Sequence, residues 1–281
     1  MNYNISSEQL HNPLLKELLT VLTHFFESEG SSFYIVGATA RDIVFTGIYN
    51  RPISRMTYDL DIAIAIPDWE RFSAIIEKLT TINGFIKHPN QHHRFTYRDR
   101  GVLDIVPFGE IAGANKTLFW PPDETIAMSV HGFSEAFNHA IEITIDNTLT
   151  VKVATLPGMF LLKMFAWSDR HLQSNKDADD IAFILANYLE LNQERAIELH
   201  YDIYEAEPFS EIVAGAILLA RDVRSLLGND TGLLETLQKM LQAEEEKNID
   251  SHLVAQIADT HPSLRSIEIV KAIRSMKLEL Q

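Results

Sequence analysis

The chain has 281 residues, of which 46% are hydrophobic and 22% are charged, as in ordinary folded globular proteins. It contains no cysteine, which excludes disulfides, thiolate metal sites and a cysteine nucleophile. The formal net charge is −15 and both halves of the chain are acidic, so broad binding to a nucleic-acid backbone is disfavoured. A magnesium-bound nucleotide suits such a chain, because carboxylates are preferred ligands of hard cations.

The N-terminal residues lack a basic stretch followed by an apolar one, so no signal peptide is predicted. The longest apolar run, residues 212–220, ends at Arg221 and is too short to cross a bilayer. We therefore expect a cytoplasmic protein with no membrane partner.

The N-terminal part of the chain alternates helices and strands. Asn12 as a cap and Pro13 at the first helical position predict a helix that Gly30 ends. A second helix is predicted over residues 39–45 and a third from Pro67 onward. Alternating or continuous apolar residues predict strands over residues 33–36, 58–66, 94–98, 102–106, 140–145 and 150–153.

The pattern changes to helices alone after residue 155. Helical periodicity predicts helices over residues 156–170, 176–190, 208–227, 231–243 and 262–277. The predicted fold is therefore α/β (α+β) with a mixed sheet over residues 1–155, followed by an all-helical domain over residues 156–281.

The common nucleotide-binding loops are absent, because neither a G-x-G-x-x-G nor a P-loop sequence occurs. Three nearby histidines, His88, His92 and His93, could suggest a metal site. They lie beside Pro89 and Asn90 in a turn-like stretch, and an ordinary loop is the preferred interpretation.

Two carboxylates on one predicted strand are more informative. Asp59 and Asp61 are two residues apart, so both project from the same face of the strand, while its other face is apolar. Such a pair is either hydrated near the end of the strand or held by positive charge.

A third carboxylate, Asp104, lies in the middle of the apolar strand predicted over residues 102–106, where an unpartnered charge is costly. If the two strands are neighbours, Asp104 converges with Asp59 and Asp61. Three carboxylates at one point suit two divalent cations in phosphoryl-transfer chemistry. Residues 37–39, between a strand and a helix, offer backbone N–H groups for phosphate.

The segments 36–42 (VGATARD), 57–62 (TYDLDI) and 103–105 (LDI) together resemble the DNA polymerase β-type nucleotidyltransferase superfamily. Residues 161–170 (LLKMFAWSDR) and 176–181 (KDADDI) resemble the helical motif of the AbiEii/AbiGii toxin-like nucleotidyltransferases, which are the closer match. The resemblance implies a nucleotidyltransferase catalytic domain in the N-terminal part. The last ninety or so residues carry no recognised motif.

This resemblance implies roles for individual residues. Asp59 and Asp61 would bind two Mg²⁺ ions, or Mn²⁺ in their place, and Asp104 would complete one metal site and help to activate the attacking hydroxyl. Gly37 would cradle the triphosphate. Where the superfamily usually has Ser or Gly after this glycine, the chain has Ala38, and Thr39 would then supply the hydroxyl.

Several basic residues are assigned to the nucleotide. Arg41 belongs to the first motif. Lys163 lies on a largely apolar helix, where it either extends its ammonium to solvent or, as the resemblance suggests, reaches the triphosphate from the helical domain. The spacing of Lys176 and Asp180 also fits a structural ion pair.

Three arginines at alternate positions of a predicted strand form a further candidate binding surface. Arg94, Arg98 and Arg100 would show three guanidinium groups on one face, either as ordinary exposed surface or as a patch that holds phosphates of the nucleotide or of an acceptor RNA.

We therefore predict an Mg²⁺-dependent enzyme that transfers a nucleoside monophosphate from an NTP to a hydroxyl. The acceptor is left open among a tRNA, a protein and a small molecule, and the resemblance suggests a toxin with a cognate antitoxin. The alternative is a non-catalytic nucleotide-binding or interaction module; Ala38 favours it, whereas the three retained carboxylates favour catalysis.

Overall fold

The structure, a computed structural model, describes residues 2–10, 12–51, 59–89, 91–121 and 127–281. The chain divides into two compact units, Met1–Met159 and Phe160–Gln281. The predicted division into domains at residue 155 stays a prediction. Tyr58, predicted to begin a strand, and Asn90, in the histidine-rich stretch, lie outside the described residues.

The first unit contains the strands. They are β1 (Asn2–Ile5), β2 (Phe33–Val36), β3 (Asp59–Ala65), β4 (Phe85–Lys87), β5 (Arg94–Tyr97), β6 (Gly101–Phe108), β7 (Thr117–Phe119), β8 (Ala127–Ser129), β9 (Ile141–Ile145) and β10 (Leu149–Val153).

Eight of these strands form one mixed sheet in the order β1-β9-β10-β2-β3-β6-β5-β4, and β7 pairs with β8 in a small second sheet. The pairs β1–β9, β10–β2 and β3–β6 are parallel. The pairs β9–β10, β2–β3, β5–β6 and β4–β5 are antiparallel. The predicted mixed sheet is thus confirmed, and its central strands β2, β3 and β6 are largely buried.

The helices are distributed over both units. They are α1 (Pro13–Ser28), α2 (Gly37–Asp42), α3 (Trp69–Thr81), α4 (Phe133–Asn138), α5 (Leu156–Arg170), α6 (Lys176–Leu191), α7 (Gln193–Leu199), α8 (Glu211–Leu227), α9 (Thr231–Lys247), α10 (His252–Thr260) and α11 (Ser266–Glu279).

Capping sets the ends of the first long helices. Asn12 accepts a hydrogen bond from the backbone N–H of Leu14 at 3.1 Å, and Pro13 occupies the first helical position of α1, as predicted. Helix α3 begins at Trp69 rather than at Pro67. The side chain of Asp68 accepts from the N–H of Arg71 at 2.7 Å, so Asp68 is the cap.

The helix predicted over residues 39–45 begins two residues earlier in the structure, at Gly37, and the helical segment extends to Ile48. Helix α2 begins directly after β2, and a π-helical turn, Ile43–Ile48, continues it. Within this turn the hydroxyl of Thr46 donates to the carbonyl oxygen of Asp42 at 2.7 Å, a local bond that competes with the regular helical pattern.

In the second unit, α8 packs against α6 and α11. Gly215 lets the two helices α6 and α8 approach closely, because a Cβ there would lie 3.2 Å from the backbone nitrogen of Leu189. The helices α7 and α10 were not predicted, and neither were α4 or the short strands β1, β4, β7 and β8. No helix within the described ranges combines the length and hydropathy that crossing a bilayer requires.

A buried ion cluster links α5 to α6. Asp177 is fully buried and accepts from Arg170 at 2.6 and 2.8 Å and from Lys163 at 3.2 Å. Burial alone would raise the pKa of Asp177, but the hydrogen bond from Arg170 and the charge of Lys163 hold it below its ordinary value.

We expect Asp177→Asn to lower the free energy of unfolding at pH 7 by about 2 kcal/mol, since the buried group loses its charge-assisted hydrogen bonds. The loss is limited because Lys163 keeps Asp180 as a partner and Arg170 is half exposed. A carboxyl whose pKa is lowered by folding stabilises the protein above its ordinary pKa, and this contribution is lost on acidification. The difference between wild type and variant should therefore shrink below about pH 4. Urea denaturation at several pH values measures it.

The exposed Asp259 in the same unit provides the matched control. Asp259→Asn should leave the free energy of unfolding within about 0.5 kcal/mol of wild type. An equal effect of the two substitutions would show that the cluster does not stabilise this unit.

Candidate active site

The parallel pairing of β3 with β6 gathers the three carboxylates. Asp61 lies opposite Asp104, and Asp59 lies opposite Val102. Directly opposed residues share a face of the sheet, and so do residues two apart on one strand. Asp59, Asp61 and Asp104 therefore project from one face. The other face is apolar and buried, with Leu60, Ile62, Leu103 and Ile105.

Two further pairings extend this row across the sheet. Val36 of β2 lies opposite Asp61, and Arg94 of β5 lies opposite Asp104. Four neighbouring strands thus place Val36, Asp61, Asp104 and Arg94 side by side. Gly37 follows directly after Val36 at one end of the row.

Gly37 allows the loop to lie against Asp61. Its φ is +68°, in the left-handed region that favours glycine. A Cβ at this position would overlap Oδ2 of Asp61 and lie 3.0 Å from its Cγ and 3.1 Å from its Cβ. A side chain at residue 37 would therefore have to displace the Asp61 carboxylate.

Thr39 was expected to offer its hydroxyl to phosphate, but the structure shows a different use. Its Oγ1 donates to the backbone carbonyl oxygen of Asp59 at 2.6 Å, and the residue is buried. This hydrogen bond connects the start of α2 to the start of β3. Thr39 is thus a positioning residue for the Asp59 backbone.

Arg94 makes a bidentate ion pair with Asp104. Its Nε lies 2.8 Å from Oδ1 and its Nη2 lies 2.6 Å from Oδ2, so both oxygens of the carboxylate accept from the guanidinium. This hydrogen bonding raises the pKa of Arg94 above its ordinary value, and the charges of Asp104, Asp59 and Asp61 raise it further. All three carboxylates therefore act on one guanidinium.

The donor set has the chemistry of a divalent-cation site but not its assembled geometry. Carboxylate oxygens are the ligands that Mg²⁺ prefers. Among the described residues, however, no three His, Asp or Glu side chains are grouped to hold a metal ion. In the predicted set, Asp104 has both oxygens engaged by Arg94.

The other basic candidates of the first unit have local partners. Arg41 is buried, and its Nε and Nη2 donate to Oδ1 of Asp42 at 3.0 and 2.9 Å. The predicted arginine stripe is wrong beyond Arg94. Strand β5 ends at Tyr97, and Arg98 enters a turn with φ of +49°, where it pairs with Glu17 at 2.8 Å.

The histidines lie in the connection between β4 and β5, where the structure shows a ring contact for His93. The ring of His93 lies 5.5 Å from that of Trp120, centroid to centroid. Burial lowers the pKa of His93, although the nearby Asp104 acts in the opposite direction. His93 is thus favoured in its neutral form.

Lys163 belongs to the second unit and lies in the ion cluster of α5 and α6. Its Nζ is 2.7 Å from Oδ2 of Asp180 and 3.2 Å from Oδ1 of Asp177. Asp180, considered as a partner of Lys176 from the sequence, thus pairs with Lys163. The prediction that Lys163 reaches the triphosphate stays a prediction.

Comparison with known proteins assigns the chain to a family. The sequence model described as "Nucleotidyl transferase AbiEii toxin, Type IV TA system" matches residues 20–266. The chain is therefore a nucleotidyltransferase. It belongs to the AbiEii nucleotidyl transferase toxin family of type IV toxin–antitoxin systems, as the motifs predicted.

No curated protein sequence matches the chain. Among solved structures, the chain is similar to the antibiotic-resistance factor ANT(2'')-Ia, with 13% sequence identity and a TM-score of 0.31. The match covers 65% of this chain and 99% of that one.

We expect Gly37→Ala to destabilise the first unit more than a positive φ alone explains. The left-handed backbone costs about 1 kcal/mol for alanine, and displacement of Asp61 adds ~2 kcal/mol of overpacking. Chemical denaturation measures the free energy of unfolding.

Gly30 is a matched control, because its φ is +63° and an added Cβ would meet nothing within 4 Å. Gly30→Ala should lower the free energy of unfolding only by the backbone cost of about 1 kcal/mol. Equal losses for the two variants would contradict the close contact between Gly37 and Asp61.

Proposed function

We propose that this nucleotidyltransferase transfers a nucleoside monophosphate from an NTP to a hydroxyl group, with Mg²⁺ as cofactor and pyrophosphate as leaving group. One observation carries the proposal. The register of β3 and β6 puts Asp59, Asp61 and Asp104 on one face, directly beside the glycine that begins α2.

In this proposal Asp59 and Asp61 hold the cation, and Asp104 completes the site and accepts the proton of the attacking hydroxyl. Bound Mg²⁺ would neutralise charge on the phosphates and align the reacting oxygens. The backbone of Gly37 and Ala38 would approach the phosphates, since residue 37 has no side chain to keep them away. Thr39 contributes by fixing the position of Asp59.

Basic residues would supply the remaining positive charge. Arg41 lies in the same helix as Gly37 and is assigned to the nucleotide. The acceptor is proposed as a hydroxyl of an RNA, a protein or a small molecule. Membership of a toxin–antitoxin family supports a toxin role and a cognate antitoxin as partner.

Incubation with each α-labelled NTP, Mg²⁺ and three separate acceptor pools tests the activity. The pools are total RNA, RNA-free cell protein and aminoglycosides. We expect label in one pool, and we expect Asp61→Asn to reduce its rate by roughly 10²–10³-fold, because a preorganised charge at the phosphates is lost.

Asp99 supplies the control for this substitution. It is exposed and has φ of +56°, a conformation that asparagine adopts readily, so Asp99→Asn should retain the wild-type rate. Absence of label from every pool with wild type would contradict the proposed transfer to a hydroxyl of these acceptors. Equal rates for wild type and Asp61→Asn would refute the assigned carboxylate.

The toxin role has a separate test in living cells. Induced expression of the wild-type chain in a bacterial host should arrest growth, whereas Asp61→Asn should not at equal protein level. Growth curves with immunoblotting measure both quantities. Arrest by the two proteins alike would show that any toxicity is independent of nucleotidyl transfer.

A further inference from the structure

The ion pair between Arg94 and Asp104 lies inside the proposed metal site. We propose that Arg94 is a built-in counter-ion that competes with the divalent cation for Asp104, so that the cation gains its third carboxylate only when the guanidinium leaves. The inference deepens the proposed function and rests on its assignment of Asp104 to the metal site.

The two partners differ in their freedom to move. The Asp104 side chain is 11% exposed and is held on the central strand β6, whereas the Arg94 side chain is 32% exposed on the neighbouring β5. Aspartate has a short side chain, and arginine has a long one with several rotatable bonds. Release of the pair would therefore move Arg94 and leave Asp104 in place.

The guanidinium and a divalent cation are alternative occupants of this carboxylate. Arg94 donates to both oxygens of Asp104, and these oxygens are what a hard cation would bind. The guanidinium is always protonated, so it would also repel a cation held by Asp59 and Asp61. Binding at all three carboxylates thus requires the ion pair to open.

A released guanidinium would have a second partner within the same reaction. Its planar fork suits phosphate oxygens as well as carboxylate oxygens. The triphosphate would arrive with the cation, so Arg94 would exchange Asp104 for a phosphate group. On this view, the predicted contact between Arg94 and nucleotide belongs to the cation-loaded state.

Titration of the full chain with Mn²⁺ alone, followed by electron paramagnetic resonance of the free ion, tests the competition. Wild type, Arg94→Gln, Asp104→Asn and the double variant form a cycle. We expect Arg94→Gln to bind Mn²⁺ about tenfold more tightly than wild type. We expect most of this gain to disappear in the Asp104→Asn background, where Arg94→Gln relieves only the repulsion between the guanidinium and the cation.

The cycle separates competition for Asp104 from a general effect of charge. Removal of any nearby positive charge would favour a cation at Asp59 and Asp61 whether or not Asp104 is present. A gain that is equally large with Asn at position 104 would therefore overturn the proposal, and so would an unchanged affinity in Arg94→Gln. Arg98→Gln is the matched control, since Arg98 pairs with Glu17, and it should bind Mn²⁺ as wild type does.

Denaturation curves show whether each variant folds. If Arg94→Gln does not, Arg94→Met replaces it in the cycle, because methionine has a flexible unbranched side chain and carries no charge. A gain in Mn²⁺ affinity that needs Asp104 supports the proposal, and no gain overturns it.

The titration contains no nucleotide, so its result is independent of catalysis. If the cycle shows coupling but wild type labels no acceptor, the role of Arg94 as a counter-ion is supported and the proposed function fails. If wild type labels an acceptor and the cycle shows no coupling, the counter-ion alone fails.

Discussion

The parallel register of β3 and β6 brings two like charges together in the middle of the sheet. Asp61 and Asp104 are direct neighbours, and Asp59 follows on the same face. Like charges this close destabilise each other unless positive charge is present. The chain supplies that charge through Arg94, whose strand is aligned so that its guanidinium meets Asp104. The backbone at Gly37, the strands β3 and β6, and the hairpin of β5 and β6 all meet at these carboxylates.

Other polar groups around the carboxylates are also engaged within the protein. Thr39 holds the carbonyl of Asp59, and Arg41 bonds the neighbouring Asp42. Such bonds fix the ground-state geometry before any ligand binds, which reduces the reorganisation that catalysis requires. They also mean that several residues whose types suggest ligand contacts serve first to position the backbone or a neighbouring side chain.

The sequence predicted the parts that depend on local pattern. Alternation identified β3 with its two aspartates, and the cap at Asn12 identified the start of α1. Short strands such as β4 were missed, because three residues are too few to show a period. Alternation along the strand predicts which face of the sheet Arg94 lies on, and on that basis the sequence assigns it to phosphate. Its partner depends on the register between β5 and β6, which only the folded sheet defines.

The counter-charge at Asp104 is part of the chain, and this has a consequence for folding. A carboxylate that relied on a dissolved ion would leave the β3–β6 pairing strained until that ion was captured. Arg94 is ten residues away in sequence and joined to Asp104 through a tight hairpin, so it arrives as the strands pair. The charge at Asp104 is therefore balanced within the β5–β6 hairpin itself, whatever the metal concentration around the protein.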